Sequence, residues 1–214
     1  SIVPGFGYRW GVVIDTAGVM WEPWSRMLTG PAPDMSATGI AEGTSRAMYL
    51  LLDPATERRD SVALGTWTFR NYRAAYPDGG GQSVFGLPYA SRSFMQMDAH
   101  RRVWTVAPGS YTLVRGTVTN DTTLVVEVAE DGLPVTEEDI AAWREGMASI
   151  LEKIPGLESD LMGYMPERKA PIRELFADDV DRIWVGRGVP TGEPPRWDVF
   201  SPEGEFLAAV RAPA

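Results

Sequence analysis

An aspartate six residues ahead of a tryptophan recurs three times along this chain, each time closing an alternating apolar stretch. The segments are RWGVVIDTAGVMW from Arg9 to Trp21, RSFMQMDAHRRVW from Arg92 to Trp104, and IRELFADDVDRIW from Ile172 to Trp184. Val12 and Ile14, Phe94, Met95 and Met97, and Leu175 and Ala177 are the apolar residues ahead of Asp15, Asp98 and Asp178. A period of two is the mark of a half-buried strand. An aspartate side chain bonds backbone a few residues on and so opens a tight turn, after which the tryptophan falls on the returning strand. The pattern predicts one hairpin made three times, with Asp15, Asp98 and Asp178 as turn formers.

A second internal match extends the first. YLLLDPATERRDSVAL, beginning at Tyr49, aligns with WDVFSPEGEFLAAVRA, beginning at Trp197: Tyr49 with Trp197, Leu51 and Leu52 with Val199 and Phe200, Pro54 with Pro202, Glu57 with Glu205, and Val62 with Val210. This too is strand, turn, strand, with Gly204 supplying the positive φ the turn needs. Two hairpins in succession make a four-stranded antiparallel sheet. The 17 prolines and 22 glycines are scattered rather than gathered in a linker, as in chains of many short strands. The expected fold is all-β, a partial β-propeller of about three four-stranded blades: 1–65, 66–130 and 166–214, with a helical insertion at 131–165.

The insertion has its own signature. TEEDIAAWREGMASILEKI offers Thr136 as a cap, acids in the first turn, and Pro155 and Gly156 beyond the end. Ile140, Trp143, Met147, Ile150, Leu151 and Ile154 fall at spacings of three and four, a single apolar stripe. One helix packed on the outside or end of the sheets is expected. Gly30–Thr44 reads as an insertion in the first blade, and YPDGGGQS, Tyr76 to Ser83, as a turn or a crossing between blades. That glycine run is not followed by Lys and Ser or Thr, so it is not a phosphate loop.

Aromatics on the second strand and an Asp turn before it resemble the blades of six-bladed β-propellers of the NHL and lactonase-like kind. The closing stretch RIWVGRGVPTGEPPRWDVFSPEGEFLAAV carries the resemblance most specifically. A ring of that family implies about twice this polypeptide, so three blades form an arc with two uncovered apolar faces. Three resolutions stand open: completion by a second protein chain, a homodimer closing the ring through a twofold axis, or a smaller open sandwich. Beginning at Ser1, the chain is expected to be a processed or truncated product.

Charge and composition narrow the function. Acids outnumber bases 29 to 20, for a net charge of −9, which argues against nucleic acid or an anionic membrane surface as partner. No apolar run reaches the roughly 20 residues of a membrane span. The absence of cysteine excludes disulfides, thiolate metal sites and a cysteine nucleophile. The single histidine, His100, excludes multi-histidine metal sites and stands at an exposed turn tip. No Gly-x-Ser-x-Gly elbow surrounds a serine, so no catalytic residue is assigned.

Arginines are the more informative set. Arg9, Arg92 and Arg173 open the first strand of each unit, Arg173 shifted by one residue, and in a propeller those strand starts surround one mouth of the channel. Guanidinium groups there would hold a carboxylate, a phosphate or an acidic peptide bidentately, or else pair with acids of the neighbouring blade. Glu174, Asp179 and Asp181 bring negative charge beside Arg173. Trp21, Trp104, Trp184 and Trp197 repeat and belong to the core, whereas Trp10, Trp24 and Trp67 do not, and if exposed would stack against a sugar or peptide. The ligand-binding candidates are Arg9, Trp10, Arg92, Arg173 and Glu174.

The resemblance implies calcium on the axis as the one conceivable ion, though no asparagine stands in the inner strands to complete an oxygen set. The expected function is a non-catalytic binding or scaffold module without a required cofactor. Its partners would be a second chain or copy and an acidic small molecule or peptide. A metal-assisted lactonase-type hydrolase and a structural subunit of a larger assembly are the competing classes. An acidic chain without cysteine fits a periplasmic or extracellular protein.

Overall fold

A computed structural model describes residues 12–29, 38–52, 61–117 and 121–212; Arg9 and Trp10 lie outside them. The strands form three antiparallel sheets, each in sequential order. The first contains β1 (Val13–Ile14), β2 (Met20–Thr29), β3 (Gly39–Leu52), β4 (Ser61–Ala75) and β5 (Gln82–Gly86), and it curls into a half-barrel. The second contains β6 (Phe94–Met97), β7 (Val103–Val106), β8 (Thr112–Gly116) and β9 (Thr122–Glu127). Helices α1 (Glu137–Leu151) and α2 (Leu157–Met162) precede the third sheet of β10 (Ile172–Ala177), β11 (Ile183–Arg187), β12 (Arg196–Phe200) and β13 (Phe206–Arg211). The chain is an all-β partial propeller with a helical segment between its second and third sheets.

Several boundaries differ from the sequence expectation. The first unit does not end at residue 65. Gly65, at φ 132°, sits where the β3–β4 register shifts, so the glycine absorbs a bulge and β4 continues to Ala75. The change of sheet comes between Gly86 and Phe94, after a fifth strand. YPDGGGQS closes the β4–β5 hairpin instead of crossing between blades, with Tyr76 N donating to Gly81 O at 3.0 Å. Of the expected insertion at Gly30–Thr44, residues 30–37 lie outside the described residues and Gly39–Thr44 are the start of β3. A second helix, α2, follows α1.

The three aspartates build the same turn. Asp98 Oδ1 accepts from His100 N at 3.0 Å and Arg102 N at 2.9 Å, while Oδ2 accepts from Trp104 Nε1 at 3.0 Å. Asp178 repeats this with Val180 N, Arg182 N and Trp184 Nε1, and Asp15 with Ala17 N, Val19 N and Trp21 Nε1. One carboxylate therefore satisfies two turn amides and fixes the indole of the returning strand. Ser201 forms the fourth example, its Oγ accepting from Glu203 N and Glu205 N, both at 3.2 Å. In all four turns the third residue after the acceptor has positive φ: Gly18, Arg101, Asp181 and Gly204.

Two of those residues are not glycine, and a left-handed conformation costs them about 1–2 kcal/mol each. Each spans to the preceding sheet's turn. Arg101 donates to Asp15 Oδ2 from Nε at 2.9 Å and Nη2 at 2.8 Å and lies over the Trp21 ring. Asp181 Oδ1 accepts from Ala99 N at 3.2 Å, and its Oδ2 meets His100 Nδ1 and Arg102 Nη2. The turns are thus linked third to second to first, and these charge-assisted contacts offset the backbone strain.

The second repeat also holds in register: Tyr49 stands opposite Val62 and Trp197 opposite Val210. Gly204, at φ 85°, brings the last turn so close to β9 that a Cβ would lie 2.7 Å from Leu124 and Val126.

Alternation across β7 buries both of its faces. Val103 joins Trp21, Tyr49 and Met97 between the first and second sheets, and Trp104 joins Leu113, Ile183 and Val185 between the second and third. A third core packs Ile154, Leu157 and Leu161, with the stripe of Trp143, Met147, Ile150 and Leu151, against Tyr72 and Phe85 of the first sheet. The inner strands β1, β6 and β10 wall a common cleft of about 520 Å³. Both ends of the arc carry apolar side chains. On the outer face of the first sheet Ile14 pairs with Met20 and is 62% exposed, and Trp24 pairs with Met48 and is 51% exposed. On the third, Phe176 stacks on Trp184 at 5.7 Å.

Replacing Asp98 by alanine strands the Trp104 indole, two amides and Arg102 in a buried place. The expected cost is about 3–5 kcal/mol in urea unfolding, against about 1–2 kcal/mol for Asp178→Ala, whose turn is more open to water. Equal costs for the two would contradict this account of the turns.

Candidate functional site

A cavity of about 690 Å³ lies between the second and third sheets, over the starts of β6 and β10. Its cations are Lys169, Arg173, Arg187 and Arg196. Arg187 is buried because it shares the core-facing side of β11 with Ile183 and Val185. Its Nη1 is 2.5 Å from Asp198 Oδ2, its Nη2 meets Glu130, and its plane lies 5.0 Å above the Tyr111 ring. Tyr111 also donates to Asp198 Oδ2, at 2.7 Å. Burial, then the neighbouring Asp198, pushes the Tyr111 phenol well above its ordinary range, so it stays a donor. Arg187 Nε and Asp198 Oδ1 are buried without a hydrogen bond, and Arg196 Nη2 stands 3.6 Å from that oxygen.

The opposite wall is anchored by α1. Thr136 caps the helix and Asp139 closes a capping box, its Oδ2 accepting from Thr136 N at 2.9 Å. Asp139 Oδ1 takes Lys169 Nζ at 2.9 Å and the Thr191 hydroxyl, and the Asp139 carbonyl accepts from Tyr89. Burial acts to raise the Asp139 pKa, but bonds from Thr191, Lys169 and Thr136 outweigh it and hold the carboxyl far below its ordinary range. Lys169 thus ties the helix start to the β11–β12 loop that frames the cavity.

Within this frame Arg173 is exposed and makes no ion pair among the described residues, while Glu174 accepts from Trp197 Nε1 at 3.3 Å. The structure brings these two candidates together. It does not bring Arg92 to them. Arg92 lines a separate groove of about 910 Å³ on the curled sheet; it stands six residues before Asp98 and ahead of β6, whereas Arg173 stands five before Asp178 and within β10. Lys169, Arg187, Arg196 and Asp139 were missed in the sequence. A signal existed for Arg187 and Asp198, charged residues at inward positions of apolar strands, and for Lys169, one of only two lysines.

Asp15, Asp98 and Asp178 spend their carboxylates on their own turns. Asp98, His100 and Asp181 have ligand atoms within 4.8 Å of one another, but Arg102 Nε already donates to Asp98 at 2.7 Å within that group. The cavity is lined by four cations and by Asp139, Glu174 and Glu193, with Lys169 and Arg187 held by carboxylates.

Two measurements follow from these carboxylates. Burial opposes ionisation of Asp15, yet bonds from Trp21, Val19, Arg101 and Ala17 lower it from 3.8 to about 2, and Asp178 is lowered likewise. A depressed carboxylate stabilises the fold above its unfolded pKa and loses that contribution as pH falls through its folded value. Unfolding free energy is therefore expected to fall between about pH 4 and pH 2, with about 2 kcal/mol from Asp15 alone, and Asp15→Asn should remove that share. Lys169→Met, which leaves Asp139 charged and buried without its cation, is expected to cost about 3 kcal/mol in urea unfolding. Neither protein-family models nor curated proteins give a match to this chain.

Proposed function

We propose that this chain is a non-catalytic binding module of the six-bladed, NHL or lactonase-like propeller type, whose mouth cavity receives an acidic small molecule or peptide. One observation carries the reading: among four cations around the cavity, Arg173 is exposed and has no ion pair among the described residues. Lys169 and Arg187 are held by Asp139 and Asp198, so they shape the pocket. Arg173 is left to meet a ligand carboxylate or phosphate, with Arg196 at the rim.

The uncovered apolar faces support the further reading that a second copy or a second chain completes the ring. Ile14, Met20 and Trp24, exposed at one end, and Phe176 and Trp184, half-buried at the other, are the kind of surface adjacent blades bury against each other.

Calorimetric titration with succinate and with a tri-glutamate peptide tests the cavity. Binding in the range of about 10 μM to 1 mM is expected, weakened at least about tenfold by Arg173→Ala and reduced by added salt. No heat with either probe retires the acidic-ligand reading. Light scattering tests closure by a second copy: a particle of twice the 23.5 kDa chain mass that Trp24→Glu disperses supports it, and a monodisperse single chain opposes it.

A further inference from the structure

The groove on the curled first sheet is independent of the mouth cavity and has its own chemistry. Trp67, Phe69 and Asn71 line it at alternate positions of β4, hence on one face, over about 13 Å. The Trp67 and Phe69 rings meet edge to face, with centroids 5.9 Å apart. Asn71 is only 7% exposed and lines the groove beyond Phe69. Its carboxamide offers a ligand both a donor and an acceptor.

Arg92 stands beside that amide for a steric reason. Asn71 lies opposite Gly86 across β4 and β5, and a Cβ on Gly86 would be 3.1 Å from Arg92 Nη2. The missing side chain makes room for the guanidinium. Arg92 is exposed and has no ion pair among the described residues, whereas Arg70 on the other wall is held by Glu42 at 2.8 Å and lies over the Tyr164 ring.

Aromatic rings accept the C–H face of a pyranose, a carboxamide both donates to and accepts from hydroxyls, and a guanidinium holds a carboxylate. We propose that this groove binds a short acidic oligosaccharide. Trp67 and Phe69 support the sugar ring, Asn71 holds its hydroxyls and Arg92 takes a uronate carboxylate. The polar groups the proposal uses are side chains, Asn71 on β4 and Arg92 in the loop before β6, and side-chain rather than main-chain recognition favours a saccharide over an extended peptide.

Calorimetry on the full chain with tri-galacturonate tests this, with maltotriose and tri-glutamate as comparisons. Tri-galacturonate should bind with a Kd below about 1 mM, and Arg92→Ala and Asn71→Ala should each weaken it at least about tenfold. Arg173→Ala, in the other cavity, should leave it unchanged, which separates this site from the one proposed above. Circular dichroism checks each variant's fold. Arg92 is exposed, so its variant decides the matter if Asn71→Ala does not fold. No binding, equal binding of maltotriose, stronger binding of tri-glutamate at this groove, undiminished binding in Arg92→Ala, or loss in Arg173→Ala instead would each overturn the proposal.

Discussion

A carboxylate held at the base of a turn organises this molecule. In each sheet one aspartate gathers two backbone amides and an indole N–H, so the turn, the strand crossing and the tryptophan's orientation are set by a single side chain. The indole is then delivered into the interface between sheets: Trp21 into the first core, and Trp104, fully buried, into the second. Hydrogen bonding inside the turn and apolar burial beside it are therefore not separate contributions. Each places the groups that the other needs.

The same turns also fix the sheets relative to one another. Arg101 and Asp181 occupy the left-handed position that glycine takes in the first turn, and each reaches the turn before it. The exchange of glycine for a charged side chain trades backbone strain for an inter-sheet ion pair. Gly18 has no such side chain to extend, and the outer face beside it carries Ile14 and Met20. The chain of contacts runs along one rim of the arc, while the opposite rim is secured by Lys169, Asp139 and Thr191.

That division explains the placing of the two candidate sites. The mouth cavity sits where the second and third sheets splay and α1 is pinned by its capping aspartate, so its walls are rigid and its spare charge is Arg173. The groove sits inside the curl of the first sheet, where β4 is long enough to present Trp67, Phe69 and Asn71 in line. The sequence joined Arg92 to Arg173 as strand openers although Arg173 is shifted by one residue in the repeat, five before its aspartate where Arg92 is six before. That one-residue offset reverses the side of the strand, and Arg92 lies ahead of β6 whereas Arg173 lies within β10, so the two arginines line different cavities.

What the sequence by itself determined was whatever depends on neighbours a few residues apart. The Asp turns, the hairpins, the matched register of Tyr49 with Val62 and Trp197 with Val210, and the Thr136 cap all follow from local bonding and alternation. The tertiary structure alone decided which face each sheet buries, that β4 runs on through its glycine, and that Lys169 meets Asp139 and Arg187 meets Glu130 across long stretches of chain. Local patterns bond within a turn whose geometry is nearly independent of the rest. Pairs such as Lys169 with Asp139 or Arg187 with Asp198 exist only where packing removes the water that would otherwise solvate each charge alone.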